Sequence, residues 1–348
     1  MRLNRSPVCL PGRCLIKMKD KISFGLDIGS SFIKSVKLKN GRDRAELLDF
    51  VCLEADSGQQ PEKISEILRG QNVKKVNLSV SGPAVITRYV HFPSMSLEEL
   101  KQALKFEAQK YIPFSLSEIN LDCCILKNDL ADNKMLVMLA AVKKDFLNQR
   151  LKIIQGLGAA VNLADIDTLA LSNAFIFNYG QDELIKQKTA ALLNIGASQA
   201  NLNIIENGVH SLSRDINIAG NSFTQKISDS LAIDFKSAEI LKIKPEKEKA
   251  EKIAQCVESA LTYLAGEVRV SFDYYESQSA ASISKLFLSG GGSLFTGLKD
   301  MLANILDIPV EHWDPFKKII LGQELAAKLK GEGQFHSQMA VAAGLALR

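Results

Sequence analysis

Apolar positions along the chain follow two periods, one near two residues and one near three and a half, and the changes between them mark out elements. Residues 24–41, FGLDIGSSFIKSVKLKNG, predict a strand, a tight turn at Asp-Ile-Gly-Ser-Ser, a second strand and an Asn-Gly turn into a third strand at 45–53. Residues 84–92, AVITRYVHF, predict another strand, after which Leu97, Leu100, Leu104 and Tyr111 fall on one helical face. Ser96 with Glu99 forms a capping box, Met95 with Leu100 has the spacing of a hydrophobic staple, and Pro113 ends the helix. Strands at 121–126 and 135–142 flank the polar turn 128–134, so this stretch reads as strand-helix-strand-strand. A helix over 144–157 carries Leu147, Leu151 and Ile154 on one stripe and stops near Gly156 and Gly158. A strand at 161–166 then enters a helix at 169–178.

The pattern of the opening returns 167 residues later. Residues 191–208, ALLNIGASQANLNIIENG, align with 24–41 without a gap. The identities are Leu26 with Leu193, Ile28 with Ile195, Gly29 with Gly196, Ser31 with Ser198, Asn40 with Asn207 and Gly41 with Gly208. Each copy predicts a three-stranded meander, so the chain reads as two homologous α/β halves. Beyond the second meander, the periods predict a helix at 220–231, followed by a segment at 236–241, a solvated charged stretch at 244–252, and a long amphipathic helix at 250–277 bearing Ile253, Val257, Leu261 and Leu264. Residues 285–298, KLFLSGGGSLFTGL, predict a strand, a glycine run and a helix, and a last helix covers 339–347.

Two glycine turns facing one another across a cleft would let backbone amides approach a phosphate, with Ser30, Ser31 and Ser198 adding hydroxyl donors. Asp27 offers a carboxylate for a hydrated magnesium ion, and Lys34 a positive charge toward the phosphates. Gly290, Gly291 and Gly292 allow a ligand to lie against the backbone, but Phe295 breaks the dinucleotide pattern G-x-G-x-x-G. Either Asp165 or Asp167 would stand at the end of its strand, where α/β sheets present ligand-binding groups; capping of the next helix is the other role open to Asp167.

Composition removes several classes of function. The 348 residues carry a net charge of +4, and Arg2, Arg5, Arg13, Lys17, Lys19 and Lys21 stand against Asp20 alone, so the excess lies in a tail and the body is close to neutral. That argues against nucleic-acid binding. The tail, broken by Pro7, Pro11, Gly12 and Arg13, has no signal-peptide core and reads as a disordered leader over 1–20. No apolar run approaches the roughly 20 residues of a spanning helix. Six scattered cysteines without a CxxC pair, among them Cys123 and Cys124 on opposite faces of one strand, fit a reducing cytoplasm, and the four histidines make no local zinc motif.

Taken together, these motifs resemble the actin and heat-shock chaperone ATPase superfamily. Beyond residue 19 the chain is similar to the PilM family of the type IV pilus assembly platform. The resemblance is carried by LDIGSSFIK (26–34), KFEAQKYIPF (105–114), EINLD (118–122), NIGAS (194–198), RDINIAGNSFT (214–224) and LSGGGSLFTGL (288–298), of which YIPF followed by INLD is the family-specific part. It implies an actin-like, ribonuclease H-like duplicated fold with an inserted strand-helix-strand-strand subdomain shared with FtsA. The implied units are 21–82 with 143–185, the insertion 83–142, and a second half 186–348 whose C-terminal helix packs back on the first.

For the site, the resemblance implies ATP or ADP with Mg. Asp27, Gly29, Ser30, Ser31 and Lys34 would form the first phosphate loop, with Asp27 holding the metal through water. Asn194, Gly196 and Ser198 would form the second, Gly290, Gly291 and Gly292 would line the adenosine, and Glu239 and Lys242 would lie near the ribose and base. Asp167 would position an attacking water. Members of the family usually have aspartate at the place of Asn194, which implies slow or absent hydrolysis and a scaffold rather than an enzyme. The implied partners are the cytoplasmic N-terminal peptide of PilN, in a groove beside the insertion, PilO indirectly, and the pilus motor ATPases, with membrane attachment only through partners at the inner face of the cytoplasmic membrane. An FtsA-like division protein, a sugar or acetate kinase of the same superfold and a GspL-like secretion protein are the alternatives.

Overall fold

The computed structural model describes residues 21–348 apart from 42–43, 246, 280 and 332–335; the expected leader lies outside the described residues. The first half opens with β1 (Lys21–Ile28), β2 (Phe32–Asn40), β3 (Ala45–Glu54), α1 (Gln60–Gly70) and β4 (Lys75–Val80). The chain then leaves for β5 (Val85–Pro93), α2 (Leu97–Glu107), β6 (Ile119–Leu130), β7 (Lys134–Lys143) and α3 (Lys144–Gly156). It returns as β8 (Ala160–Ile166), α4 (Asp167–Tyr179) and the short α5 (Glu183–Gln187). The second half runs β9 (Thr189–Ile195), β10 (Ala200–Glu206), β11 (Val209–Ile216), α6 (Gly220–Leu231), α7 (Phe235–Ile243) and α8 (Ala250–Gln278). It ends with β12 (Ile283–Ser289), α9 (Leu298–Leu306), β13 (Val310–His312), β14 (Ile319–Ile320), α10 (Gln323–Gly331) and α11 (Ala340–Ala346).

The duplication extends beyond the aligned hairpins. One sheet has the order β14-β3-β2-β1-β4-β8 and the other β11-β10-β9-β12-β13, so each is an antiparallel meander whose first strand pairs in parallel with the strand that follows it. Equivalent residues also share a register: Asp27 opposes Lys34 in β1–β2, and Asn194 opposes Asn201 in β9–β10. The two Asn-Gly pairs differ. Asn207 and Gly208 take φ of 52° and 76°, as a type I′ turn requires. Asn40 instead stays in β2 opposite Ala45, because its buried Nδ2 donates to the Ala346 carbonyl at 2.8 Å.

Between the two sheets lie α4 and α11. Leu171 and Phe175 of α4 and Ala340, Ala343 and Ala346 of α11 share one core with Val36 and Phe50 of the first sheet and Leu192 and Phe287 of the second. A Cβ on Gly344 would sit 1.8 Å from the Ala170 carbonyl oxygen, so this close helix contact admits only glycine. The C-terminal segment therefore packs against the first sheet as well as the second.

The excursion between β4 and β8 folds as a three-stranded sheet, β5-β7-β6, over α2, with Phe92, Leu100, Leu104, Val137 and Leu139 as its core. Ser96 closes the expected capping box with Glu99 at the start of α2. This module touches the second half too: Lys127 of β6 pairs with Glu206 of β10, and Tyr89 of β5 reaches β11. Among the described residues no helix is long and apolar enough to cross a membrane.

Candidate functional site

β1, β4 and β8 run parallel, and their C-terminal ends form one edge at which side chains converge. At the end of β1 the chain reverses through Gly29, whose N–H donates to the Phe32 carbonyl at 3.0 Å. A Cβ there would lie 2.8 Å from that same oxygen and 2.9 Å from Lys34 Nζ, so the turn is as tight as glycine permits. Lys34 donates to Asp27 Oδ2 at 2.9 Å. Burial works to lower the Lys34 pKa, but Asp27 outweighs it, helped by Cys52 and Asp167, and the ammonium titrates above its ordinary value.

Asp167 opens α4, one residue past β8, and accepts hydrogen bonds from Ser79 and Ser81 at the end of β4. Its carboxyl is pushed up to about 6, first by burial and then by the charge of Asp27, against the pull of the two serines and Lys34. The N-cap position of α4 is Ile166, and Asp167 stands in the first turn of the helix. Asp165, the other candidate, points elsewhere and binds Arg348 Nε at 2.8 Å.

The second hairpin repeats the first with different chemistry. Gly196 N–H donates to the Gln199 carbonyl at 3.0 Å, and α6 starts against this turn, with Gly220 N–H on the Gly196 carbonyl at 3.0 Å and Asn221 N–H on that of Ala197 at 2.7 Å. The glycine run presses on the same turn. Gly290 has φ of 85°, and a Cβ on it would lie 2.3 Å from the Ile195 carbonyl oxygen; one on Gly292 would lie 2.6 Å from the Ile195 side chain. Gly291 faces the Gln338 amide. Asn194 stands where Asp27 stands in the first half, but it opposes Asn201, where the first half has Lys34. A carboxylate at 194 would lack the lysine partner that Asp27 enjoys. The Asn194 amide oxygen accepts from Ser289 Oγ at 3.2 Å.

The two turns meet: Ser30 Oγ donates to Ser198 Oγ at 3.0 Å. Asp27, Gly29, Ser30, Ser31, Lys34 and Asp167 thus gather at one side of this contact, and Asn194, Gly196, Ser198 and Gly290–Gly292 at the other. Glu239 and Lys242 are occupied in joining α7 to α6. Lys242 Nζ donates to Gly220 O at 3.1 Å, Thr224 Oγ1 at 2.8 Å and Glu239 Oε2 at 2.6 Å, using all three of its donors. Burial holds its pKa below the ordinary lysine value despite Glu239.

Residues with no motif of their own complete the site. Ser79 and Ser81 hold Asp167, and Gln60 and Arg150 stand behind the first turn. They come from elements outside the repeat, and only Pro61, at a helix start, marks the place of Gln60 in the sequence. Asp27, Asp167, Asn194 and the three serines make an oxygen-only donor set, which suits a hydrated hard cation. The described residues hold no group of three or more His, Cys, Asp or Glu placed to bind a metal ion; two carboxylates with neutral oxygens fit a magnesium ion that keeps most of its waters.

A family model described as type IV pilus assembly protein PilM matches residues 25–348. Among solved structures the chain is similar to one described as the PilM-PilN type IV pilus biogenesis complex, with a TM-score of 0.81 and 25% identity over 96% of this chain and 99% of that one. It shares its fold with the ethanolamine utilization protein EutJ from Carboxydothermus hydrogenoformans, at a TM-score of 0.56 and 12% identity over 96% of this chain and 92% of that one. It also shares it with MreB 5 of Spiroplasma citri bound to AMPPNP, at 0.50 and 14% over 94% and 95%. The fold is actin-like.

Proposed function

This chain belongs to the PilM family of type IV pilus assembly proteins, and on that premise we propose that it is an ATP- or ADP-binding scaffold of the pilus assembly platform. The observation that carries the nucleotide reading is the meeting of the two repeated glycine turns at Ser30 and Ser198, with the Gly290–Gly292 run pressed on the second. Gly29 and Gly196 would shape the two turns, the backbone amides at Ser30–Ser31 and Ala197–Ser198 would receive phosphates, and Asp27 would hold magnesium through water. When bound, that ion neutralises phosphate charge. Glu239 and Lys242 would flank the ribose and base, and Asp167 would stand near the water that hydrolysis needs.

Hydrolysis is slow or absent in this reading. Asn194 supplies an amide oxygen but no charge, and neither it nor Asn201 reproduces the Asp27–Lys34 pair. Nucleotide then serves to hold the two halves, 21–82 with 143–185 and 186–348, in one arrangement. The insertion, 83–142, offers a groove for the cytoplasmic N-terminal peptide of a PilN-like membrane protein. The structure in the match described as the PilM-PilN complex supports that choice of partner. PilO would follow indirectly and the motor ATPases from the cytoplasmic side.

The test is thermal unfolding with and without Mg-ATP, since a ligand of the native state stabilises by about 2.7 kcal/mol at a hundredfold excess over Kd. A shift in the wild-type chain that Asp27→Ala abolishes is expected; no shift at millimolar ATP overturns the nucleotide reading. Brisk phosphate release that Asp27→Ala removes would overturn the scaffold reading in favour of an enzyme.

A further inference from the structure

Gln60 lies behind the first glycine turn, 9% exposed, and the assignment above gives it no role. It opens α1, and its Nε2 donates to the Gly29 carbonyl at 3.1 Å while its Oε1 accepts from Arg150 Nη1 at 3.2 Å. Arg150 comes from α3, with its guanidinium carbon 5.6 Å from the centre of the Phe146 ring. An amide side chain has nearly the same shape with its oxygen and nitrogen exchanged, so its orientation must be set by neighbours. Arginine has only donors, and the Gly29 carbonyl only accepts, so the oxygen must face Arg150 and the NH2 group must face Gly29.

That orientation matters because of what lies across one peptide bond. In a planar trans peptide the C=O of Gly29 and the N–H of Ser30 point in opposite directions. Holding the carbonyl toward Gln60 therefore turns the Ser30 N–H away from Gln60. Among the described residues this N–H has no backbone or side-chain acceptor, while the Ser30 hydroxyl reaches across to Ser198. A free amide beside a tight glycine turn is a donor for an oxyanion.

We propose that Gln60, oriented by Arg150, is a positioning residue for phosphate recognition: it fixes the Gly29–Ser30 peptide so that the Ser30 N–H is presented to the phosphates of a nucleoside di- or triphosphate. The inference rests on the nucleotide reading of the site and adds two residues from outside the repeat. Its signature is selectivity for the phosphate end of the ligand. Loss of Gln60 frees one peptide plane and leaves the adenosine side, built from the second half, untouched.

The experiment titrates the full chain with Mg-ATP and, separately, with adenosine. Gln60→Leu is expected to weaken Mg-ATP about tenfold and to leave adenosine affinity unchanged. Gln60→Glu, which keeps the side-chain size and the Arg150 contact, is expected to weaken Mg-ATP at least as much, because a carboxylate oxygen then faces the Gly29 carbonyl. Arg150→Leu should weaken Mg-ATP in the wild-type chain but add little in the Gln60→Leu background. Equal losses for ATP and adenosine, or unchanged ATP affinity in both Gln60 variants, overturn the proposal. Additive effects of the two sites overturn the orienting role of Arg150, whose charge would then act by itself. No binding of Mg-ATP by the unaltered chain removes the nucleotide reading and this inference with it, an outcome distinct from selective loss in neither variant.

Discussion

The Tyr89 hydroxyl lies 2.8 Å from His210 Nε2 and 2.7 Å from Ser213 Oγ, and His210 Nδ1 lies 2.9 Å from Ser172 Oγ. One buried chain of hydrogen bonds thus joins the inserted module, β11 of the second half and α4 of the first. Removing the hydroxyl with Tyr89→Phe leaves a buried imidazole nitrogen and a buried serine short of a partner. The expected cost is about 1–3 kcal/mol in urea unfolding. Unchanged stability would mean that water replaces the hydroxyl and that the module is held mainly by the Lys127–Glu206 pair.

Burial lowers the His210 pKa from 6.5 to about 4, while burial and Asp27 raise that of Asp167 from 3.8 to about 6. The unfolded chain binds a proton at His210 between those limits and the native chain does not, so this contribution is complete above 6.5 and is lost as pH falls toward 4. Asp167 has the opposite sign: the native chain holds the extra proton, so its contribution is complete below 3.8 and is lost as pH rises through 6. Each amounts to about 3 kcal/mol, and within the shared window they oppose one another. Asp167→Asn should therefore unmask a stability that climbs with pH between about 4 and 6.5, and His210→Asn one that declines. Urea midpoints measured at several pH values decide; parallel profiles for wild type and both variants would refute the assignment.

Gly290 and Gly297 have nearly the same φ, 85° and 86°, but only Gly290 has atoms where a Cβ would go. Gly297→Ala is expected to cost about 1 kcal/mol from backbone strain alone. Gly290→Ala must also push back the Ile195 carbonyl, so it should cost several times as much in thermal unfolding and reduce the Mg-ATP shift. Equal costs would show that the glycine run does not press on the second turn.

The Arg348–Asp165 pair is enclosed, with side chains 11% and 6% exposed. Truncating one partner leaves the other charge buried alone. Arg348→Ala should destabilise by about 3 kcal/mol, and adding Asp165→Asn should recover part of that loss, because the stranded carboxylate is gone. Chemical denaturation of the two single variants and the double variant measures the coupling; a double variant as unstable as the sum of the singles would contradict it.

The duplication and most of the longer elements are legible in the sequence, whereas α1, β4, α5, β13, β14 and α10 come only from the structure. Period-two and helical spacing located the meanders, the capping box at Ser96 and the strand-helix-strand-strand insertion, because alternation and caps are local consequences of backbone geometry. The glycine turns were legible because glycine at a tight turn or close approach has few substitutes. Long-range partnership follows instead from how distant segments pack. The sequence equates Asn40 with Asn207, but the first holds a helix end 306 residues away while the second makes a turn. Asp165 and Asp167 are two positions apart on one strand end, and only the packing of the C-terminal segment gives Asp165 to Arg348 and leaves Asp167 beside Asp27. Gln60 and Arg150 carry no pattern at all, since a hydrogen bond to a turn from another element depends on where the chain returns in space and not on its local spacing.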